Sequence, residues 1–240
     1  MAPTPETTVR AIVADDFRTA AVFEKYGIDF CCGGERLLGE ACRERRLSYE
    51  DVAAELSKVA AAAATDVPRF GNWDAPALVS YIVANHHAYV RAAIPTLLER
   101  TRKIASVHGD RHPELDEVSA IFAGVAEEMT AHMFKEERIL FPFILAMADA
   151  TEAGEAMPPA PFGTVENPIR MMEREHESAG GSMARIRELT GGYRPPEDGC
   201  STYTVCLQEL EAFEADLHRH VHLENNILFP KARVLEAGAH

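Results

Sequence analysis

From Asp74 onward, apolar residues recur at alternating steps of three and four, the period of a helix with one buried stripe. The first stripe reads Val83, His87, Val90, Ile94, Leu97. The second reads Leu115, Val118, Phe122, Val125, Met129, His132, Glu136, Ile139, Phe143. The third reads Ile169, Met172, His176, Ala179, Met183, Ile186, and the fourth Tyr203, Cys206, Leu210, Phe213, Leu217, His220, Glu224, Ile227. Breakers delimit the four segments. Asp74 caps the first, with Pro76 in its opening turn, and the helix runs towards Val107. The second opens near Pro113 and passes Phe143. The proline-rich run from Thr151 to Gly163 is a long loop, after which Asn167-Pro168 caps a third helix that ends at Gly191-Gly192. The fourth follows Pro195-Pro196 and runs towards Leu235. No stretch alternates with period two for long enough to form a strand. The pattern predicts an all-α chain whose residues 74–236 fold as an up-down-up-down four-helix bundle.

Ahead of the bundle, residues 1–66 carry shorter helical patterns at about Val9–Val13, Arg18–Tyr26 and Ser48–Ala63. Gly27 to Gly34 lies between helices and holds the adjacent thiols Cys31 and Cys32. An alanine run ends at Ala64, and Thr65 to Asn72 reads as a linker. Two domains are expected: a small helical cysteine-pair domain over 1–66 and the bundle over 74–236. A segment of about 65 residues is near the lower limit for an independent core.

Each bundle stripe is interrupted by a histidine, and two are interrupted again by a glutamate four residues later. An unpaired buried carboxylate costs several kcal/mol, so two of them need a positive partner, and a metal is the simplest one. The two pairs also repeat. His132-Met133-Phe134-Lys135-Glu136 leads to Ile139-Leu140-Phe141-Pro142, and His220-Val221-His222-Leu223-Glu224 leads to Ile227-Leu228-Phe229-Pro230. The i, i+4 spacing places each His and Glu on one helix face, about 5.4 Å apart along the axis. Imidazole and carboxylate suit iron, manganese, zinc or copper. Six ligands are too many for one tetrahedral zinc. They serve two ions that each take two histidines and share two bridging glutamates, Glu136 and Glu224. With an oxo or hydroxo bridge, two iron ions would each keep an open position for a small ligand. The ferritin-type alternative needs two Glu-x-x-His motifs. Glu173 and His176 supply one, but Leu217 stands where the partner of His220 would be.

Composition narrows the class without changing this picture. The 240 residues are 47% hydrophobic and carry a formal charge of −14, which argues against nucleic acid or anionic membrane as a partner. No apolar run approaches the roughly 20 residues of a membrane span, and Met1 to Arg10 is too polar for a signal peptide. A cytoplasmic location is expected. Five cysteines, an odd number, argue against a disulfide framework.

Asp29-Phe30-Cys31-Cys32-Gly33-Gly34, Asn85-His86-His87-Ala88-Tyr89-Val90-Arg91, His132 to Glu137, Glu175-His176-Glu177 and His220 to Pro230 together resemble the Repair of Iron Centres family over nearly the full length. That family joins a cysteine-pair segment to a hemerythrin-like di-iron bundle. The resemblance implies a protein that restores iron–sulfur clusters damaged by nitrosative or oxidative stress, by supplying iron or by binding and reducing nitric oxide. It implies damaged iron–sulfur proteins as clients and NO or O₂ as the small ligand. The ligands carried over by motif are His87, His132, Glu136, His176, His220 and Glu224. His87 is preferred to His86 because the family motif uses the second histidine, and the Val83–Val90–Ile94 stripe agrees. Glu128 and Glu175 are expected close to the metal, as bases or along an iron exit path. Cys31 and Cys32 are expected to accept NO, reduce the centre or meet a client. A reversible carrier or sensor of O₂ or NO, and an NO-reducing enzyme with turnover, are the competing readings. His222, two residues from the stripe, is expected outside the site. His108, His112, His218 and His240 have no supporting spacing.

Overall fold

The computed structural model describes residues 3–61 and 69–238. Most of the expected linker, the boundary near 66 and His240 lie outside them. Among the described residues the secondary structure is helical, apart from one isolated bridge between Thr8 and Leu37.

Four helical rods form the bundle. The first comprises α5 (Ala75–Tyr81), a π-helical turn (Ile82–His87) and α6 (Ala88–His108). The second comprises α7 (Glu114–Lys135), a π turn (Glu136–Leu140) and α8 (Phe141–Ala153). The third is α9 (Glu166–Leu189). The fourth comprises α10 (Ser201–Leu223), a π turn (Glu224–Leu228) and α11 (Phe229–Ala237). Cross-links fix the directions. His87, just before α6, meets Glu137, just after α7; Glu117 and Glu128 meet Arg185 and Ser178, Arg187 meets Glu214, and Arg100 and His86 meet Glu209 and Asp216. Consecutive rods are therefore antiparallel.

Caps explain where the rods begin and end. The Asp74 carboxylate accepts from the Ala77 amide at 2.8 Å, and Pro76 occupies the first turn, where no N–H is needed. Gly154 (φ +66°) closes α8, and Gly191 and Gly192 (φ +59° and +82°) carry the chain out of α9. The third rod corrects the sequence reading. Asn167 lies inside α9, and Val165 is the cap residue, its amide donating to Glu236 at 2.8 Å. Asn167 instead donates from its side chain to the Phe162 carbonyl.

The π turns change the stripes. The Phe141 amide donates to the Glu136 carbonyl and the Phe229 amide to Glu224, a step of five residues. Pro142 and Pro230 come next and have no N–H to restore the regular ladder. The extra residue rotates the following face by about 100°. Ile139 and Phe143, expected in the core, are exposed and half-buried, and Leu140 and Ile144 take the buried positions. Similarly Ile82 is buried in place of Val83, five residues before His87. The remaining stripe positions are buried as expected.

The N-terminal segment holds α1 (Val9–Asp15), α2 (Ala20–Lys25), α3 (Leu38–Glu44) and α4 (Tyr49–Ala61). Helix α3 was not foreseen. It is barely two turns long, contains Gly39, and its apolar residues Leu38, Ala41 and Cys42 are too few to show a period. Val9, Val13, Phe23 and Phe30 join one apolar core with Leu217 and Val221 of α10, so the segment is packed on the bundle.

Candidate metal centre

Six side chains meet at the level of the π turns. His87, Glu136, His220 and Glu224 form one group of four, and His132, Glu136, His176 and Glu224 form another; within each, the ligand atoms lie within 4.8 Å of one another. Both glutamates belong to both groups. All six residues are buried, none more than 1% exposed. His87 Nε2 lies 3.1 Å from His220 Nε2, and His176 Nε2 lies 3.0 Å from His132 Nε2. Two imidazole nitrogens so placed can share only one proton. Otherwise two lone pairs face each other, an arrangement that a cation between them relieves. Both oxygens of Glu136 and Oε2 of Glu224 are buried without a hydrogen-bond partner, although His87, His132 and His176 approach them at 3.0–3.3 Å. The donor set, with its in-facing nitrogens and shared carboxylates, fits two metal ions.

Without metal the charges compensate internally. Burial pulls the His87 and His132 imidazoles down, but Glu136 and Glu224, joined at His132 by the Glu175 hydrogen bond, outweigh it and push both to about 10. His220 is lowered, mainly by burial. Burial would raise Glu136 and Glu224, yet the surrounding imidazoles hold both below the ordinary carboxylate range, Glu224 strongly so.

Nδ1 of three of the four histidines faces a partner. His87 Nδ1 is 2.6 Å from Glu137, which also pairs with Arg91. His132 Nδ1 is 2.9 Å from Glu175, which Lys135 also holds. The hydrogen bond with His132, assisted by Lys135 and opposed by burial, lowers Glu175 to about 2. His176 Nδ1 is 2.9 Å from Asn225 Oδ1. Such partners fix the tautomer and leave Nε2 aimed at the metal position. His220 Nδ1 has no partner among the described residues, and His86 stacks on that ring at 5.7 Å and 6°.

Comparison with known proteins settles the family. Residues 78–232 match the hemerythrin HHE cation-binding domain, and residues 5–60 match a domain of unknown function, DUF542. The chain is 34% identical over 219 residues to the iron-sulfur cluster repair protein YtfE of Pectobacterium atrosepticum, covering 90% of this chain and 91% of the relative. It is 34% identical to the protein of that name from Musicola paradisiaca (90% of each chain) and 33% to that of Yersinia pseudotuberculosis (90% and 91%). The chain belongs to the hemerythrin HHE family of iron-sulfur cluster repair proteins.

The other residues singled out in the sequence divide around this family centre. Glu175 lies against it, through His132. Glu128 does not reach it: its side chain is exposed and accepts from Ser178 at 3.2 Å. One helical turn separates it from His132, but its position faces outward. His86 is buried outside both groups of four, with Nδ1 3.0 Å from Asp216. His222 is fully buried between the rings of Phe17 and Phe30, away from the six. His108 and His112 lie at the far end of the bundle, beside Cys200 and Asp198.

The thiol loop is built on Asp29. Its Oδ1 accepts from the amides of Cys31 and Cys32, and its Oδ2 from that of Gly33, all at 3.0 Å. The Cys31 thiol is buried and donates to Asp29 at 3.2 Å. Its neighbour Cys32, its burial and Asp29 all raise it well above the ordinary thiol range. Cys32 is half-buried. A cavity of about 710 Å³ separates this loop from α9 and α10, and Cys31, Cys32, His176, Glu214 and His218 line it.

Sequence reasoning missed Glu137 and Asn225. A signal existed: each directly follows a repeated glutamate, Glu136 or Glu224, so the two occupy equivalent places in the internal repeat.

Proposed function

We propose that the six buried side chains hold two iron ions, with Glu136 and Glu224 as bridging carboxylates, and that the protein repairs iron–sulfur clusters damaged by nitrosative or oxidative stress. The observation that carries this reading is the sharing of both glutamates between two histidine pairs, in a chain whose relatives are named iron-sulfur cluster repair proteins. Iron bound there would supply either exchangeable iron for a damaged cluster or a reducing site with an open position for NO. The protein's own groups do the rest. His87 and His132 are held by carboxylates that accept from Nδ1–H, so each directs Nε2 inward. The apolar wall of Phe141 and Phe229, whose rings stack on His87 and His176, keeps bulk water from the carboxylates. The location is cytoplasmic, where iron–sulfur clients reside, and no described helix is long and apolar enough to cross a membrane.

The reversible-carrier reading is not favoured, because a carrier has no use for a thiol loop packed against the same π turn that holds Glu224. The test is metal analysis followed by repair. Anaerobically reconstituted protein is expected to hold two irons per chain and to restore activity to an NO-damaged iron–sulfur enzyme, and Glu136→Gln is expected to lose both. Less than one iron per chain, or equal repair by the variant, would sink the proposal.

A further inference from the structure

Glu224, Asn225 and Asn226 are consecutive in one π turn and face three different structures. Glu224 belongs to both metal groups. Asn225 Oδ1 accepts from His176 Nδ1 at 2.9 Å. Asn226 turns the other way and donates from Nδ2 to the Cys31 carbonyl at 2.9 Å and to that of Phe30 at 3.3 Å. His222, one turn back, lies 3.2 Å from the same Nδ2 and 3.4 Å from the Phe30 carbonyl. Gly34 closes the contact: a Cβ there would sit 2.7 Å from Asn226 Oδ1 and 2.8 Å from the Phe30 carbonyl. The thiol loop thus rests on the side chain next to the one that orients a metal-facing histidine, with a single peptide unit between them.

We propose that Asn225 and Asn226 are positioning residues that couple the metal centre to the Cys31–Cys32 loop, so that displacing the loop loosens metal held through His176 and Glu224. This rests on the ligand assignment proposed above. The π turn is the reason the two sites move together. Its Glu224 carbonyl accepts from the Phe229 amide at a five-residue step, the single-turn bulge that recurs at functional sites, and it holds Glu224, Asn225 and Asn226 in one hydrogen-bonded ring. A rotation that pulls Asn226 after the Cys31 carbonyl draws Asn225 from His176 and shifts Glu224. Because coupling between two sites is reciprocal, metal in the centre also holds the loop shut over the buried Cys31 thiol.

The test uses full-length protein carrying Cys200→Ser, which removes the exposed cysteine and serves as the wild-type reference for every comparison below. N-ethylmaleimide is the probe. The thiol sulfur adds to the maleimide double bond and its proton passes to the neighbouring carbon, so no oxidant is needed. Sites of labelling are mapped by peptide mass spectrometry, and iron(II) release to an excess of chelator is timed before and after labelling. Labelling at Cys31 is expected to be about tenfold slower in iron-loaded than in iron-free protein, and labelled protein is expected to release iron about tenfold faster, the scale on which partners of metal-bound histidines act. Gly34→Ala should speed release without reagent, by prying the loop from Asn226. Asn226→Asp, which keeps the shape but loses the donor, should make release insensitive to labelling while still binding two irons per chain. Circular dichroism establishes that each variant is folded, and wild-type labelling decides the outcome if one is not. Release within twofold before and after labelling of wild type overturns the coupling. Failure of the unlabelled wild type to bind iron would instead overturn the ligand assignment, and the coupling with it.

Discussion

The hairpin end of the bundle and the layer at its π turns are built from the same four rods, yet they are filled with opposite chemistry. At the hairpin end, Ile104, Leu115, Val118, Phe122, Leu207 and Leu210 interlock as an ordinary apolar core. At the level of the π turns, six ionisable groups occupy the equivalent positions, and beyond them a second apolar cluster with Leu78, Ile144, Ile169 and Leu228 closes the bundle. The hairpin end is stabilised chiefly by apolar burial. The polar layer must keep two carboxylates and four imidazoles out of water, and each imbalance among them is felt at low dielectric. The apolar layers therefore supply stability, and the polar layer between them holds a site that is costly without its cation.

The hairpin end gives the largest expected effect. Phe122 is fully buried and meets Phe213 edge-on at 5.4 Å. Phe122→Ala should destabilise the protein by about 3–5 kcal/mol. The loss should be the same in metal-free and metal-loaded protein by chemical denaturation, because nothing at this end touches the centre. A loss confined to one form would break the division between the two regions.

The complementary change works on the polar layer. Replacing His87, His132, His176 and His220 with Leu, and Glu136 and Glu224 with Met, converts the polar layer to an apolar one of similar volume. Buried ionic clusters are often less stable than such replacements by about 1–4 kcal/mol. The sixfold variant should bind no metal and have a higher Tm than metal-free wild type. A lower Tm would mean that the polar layer stabilises the fold even when empty.

Acidity distinguishes the two regions as well. His87 and His132 have folded values of about 10 against an ordinary 6.5. Their contribution to metal-free stability is fully present below pH 6.5 and is lost as pH rises towards 10. Glu136 and Glu224 are lowered, so their contribution is present above 4.5 and lost in acid. His220 is lowered too, and adds to the loss on the acid side. His218 and His222, held at about 4 by burial, do the same below their ordinary 6.5, so metal-free Tm should rise from acid to a peak near pH 6.5 and fall above it. Metal must displace the His87 and His132 protons, so loading near pH 7.5 should release about two protons per chain, measurable by calorimetry in buffers of different ionisation enthalpy. A flat Tm profile or proton-neutral loading would contradict the assigned charges.

The same contrast explains what was legible in the sequence. The hairpin end obeys a single period, so its stripe could be followed residue by residue through Phe122 and Phe213. The six buried polar side chains were legible because they break that stripe: His132, Glu136, His220 and Glu224, for example, stand where apolar residues belong. The period failed where the helix itself changes. Ile139 and Val83 were placed in the core by counting in threes and fours, but each π turn adds a residue and hands the buried place to Leu140 or Ile82. The prolines of the repeated I-L-F-P were the visible trace of those turns. Glu137, Asn225 and Asn226 were missed for another reason, although the internal repeat marks the first two as equivalent positions. Their partners, His87, His176 and the Cys31 carbonyl, come from other rods or from the N-terminal segment, and no spacing within one helix reports a contact across helices.

The smallest expected effect separates two glutamates that the sequence treats alike. Glu128 and Glu175 each stand close to a metal-facing histidine in the chain, but only Glu175 reaches one, at 2.9 Å from His132 Nδ1. Glu175→Gln keeps a hydrogen-bond acceptor and removes the charge that makes His132 a stronger donor to metal. It should weaken iron retention about 10–100-fold, and it should shift the ultraviolet–visible bands of the loaded protein, which a merely structural change would leave in place. Glu128→Gln alters an exposed carboxylate whose only described contact is Ser178. Its stability should change by less than about 0.5 kcal/mol, and its iron retention should match wild type. If Glu128→Gln instead accelerated iron release while the absorption bands stayed fixed, the carboxylate would act on the departing ion rather than on the bound one. The polar layer of the bundle would then extend beyond its six buried side chains to the surface of α7.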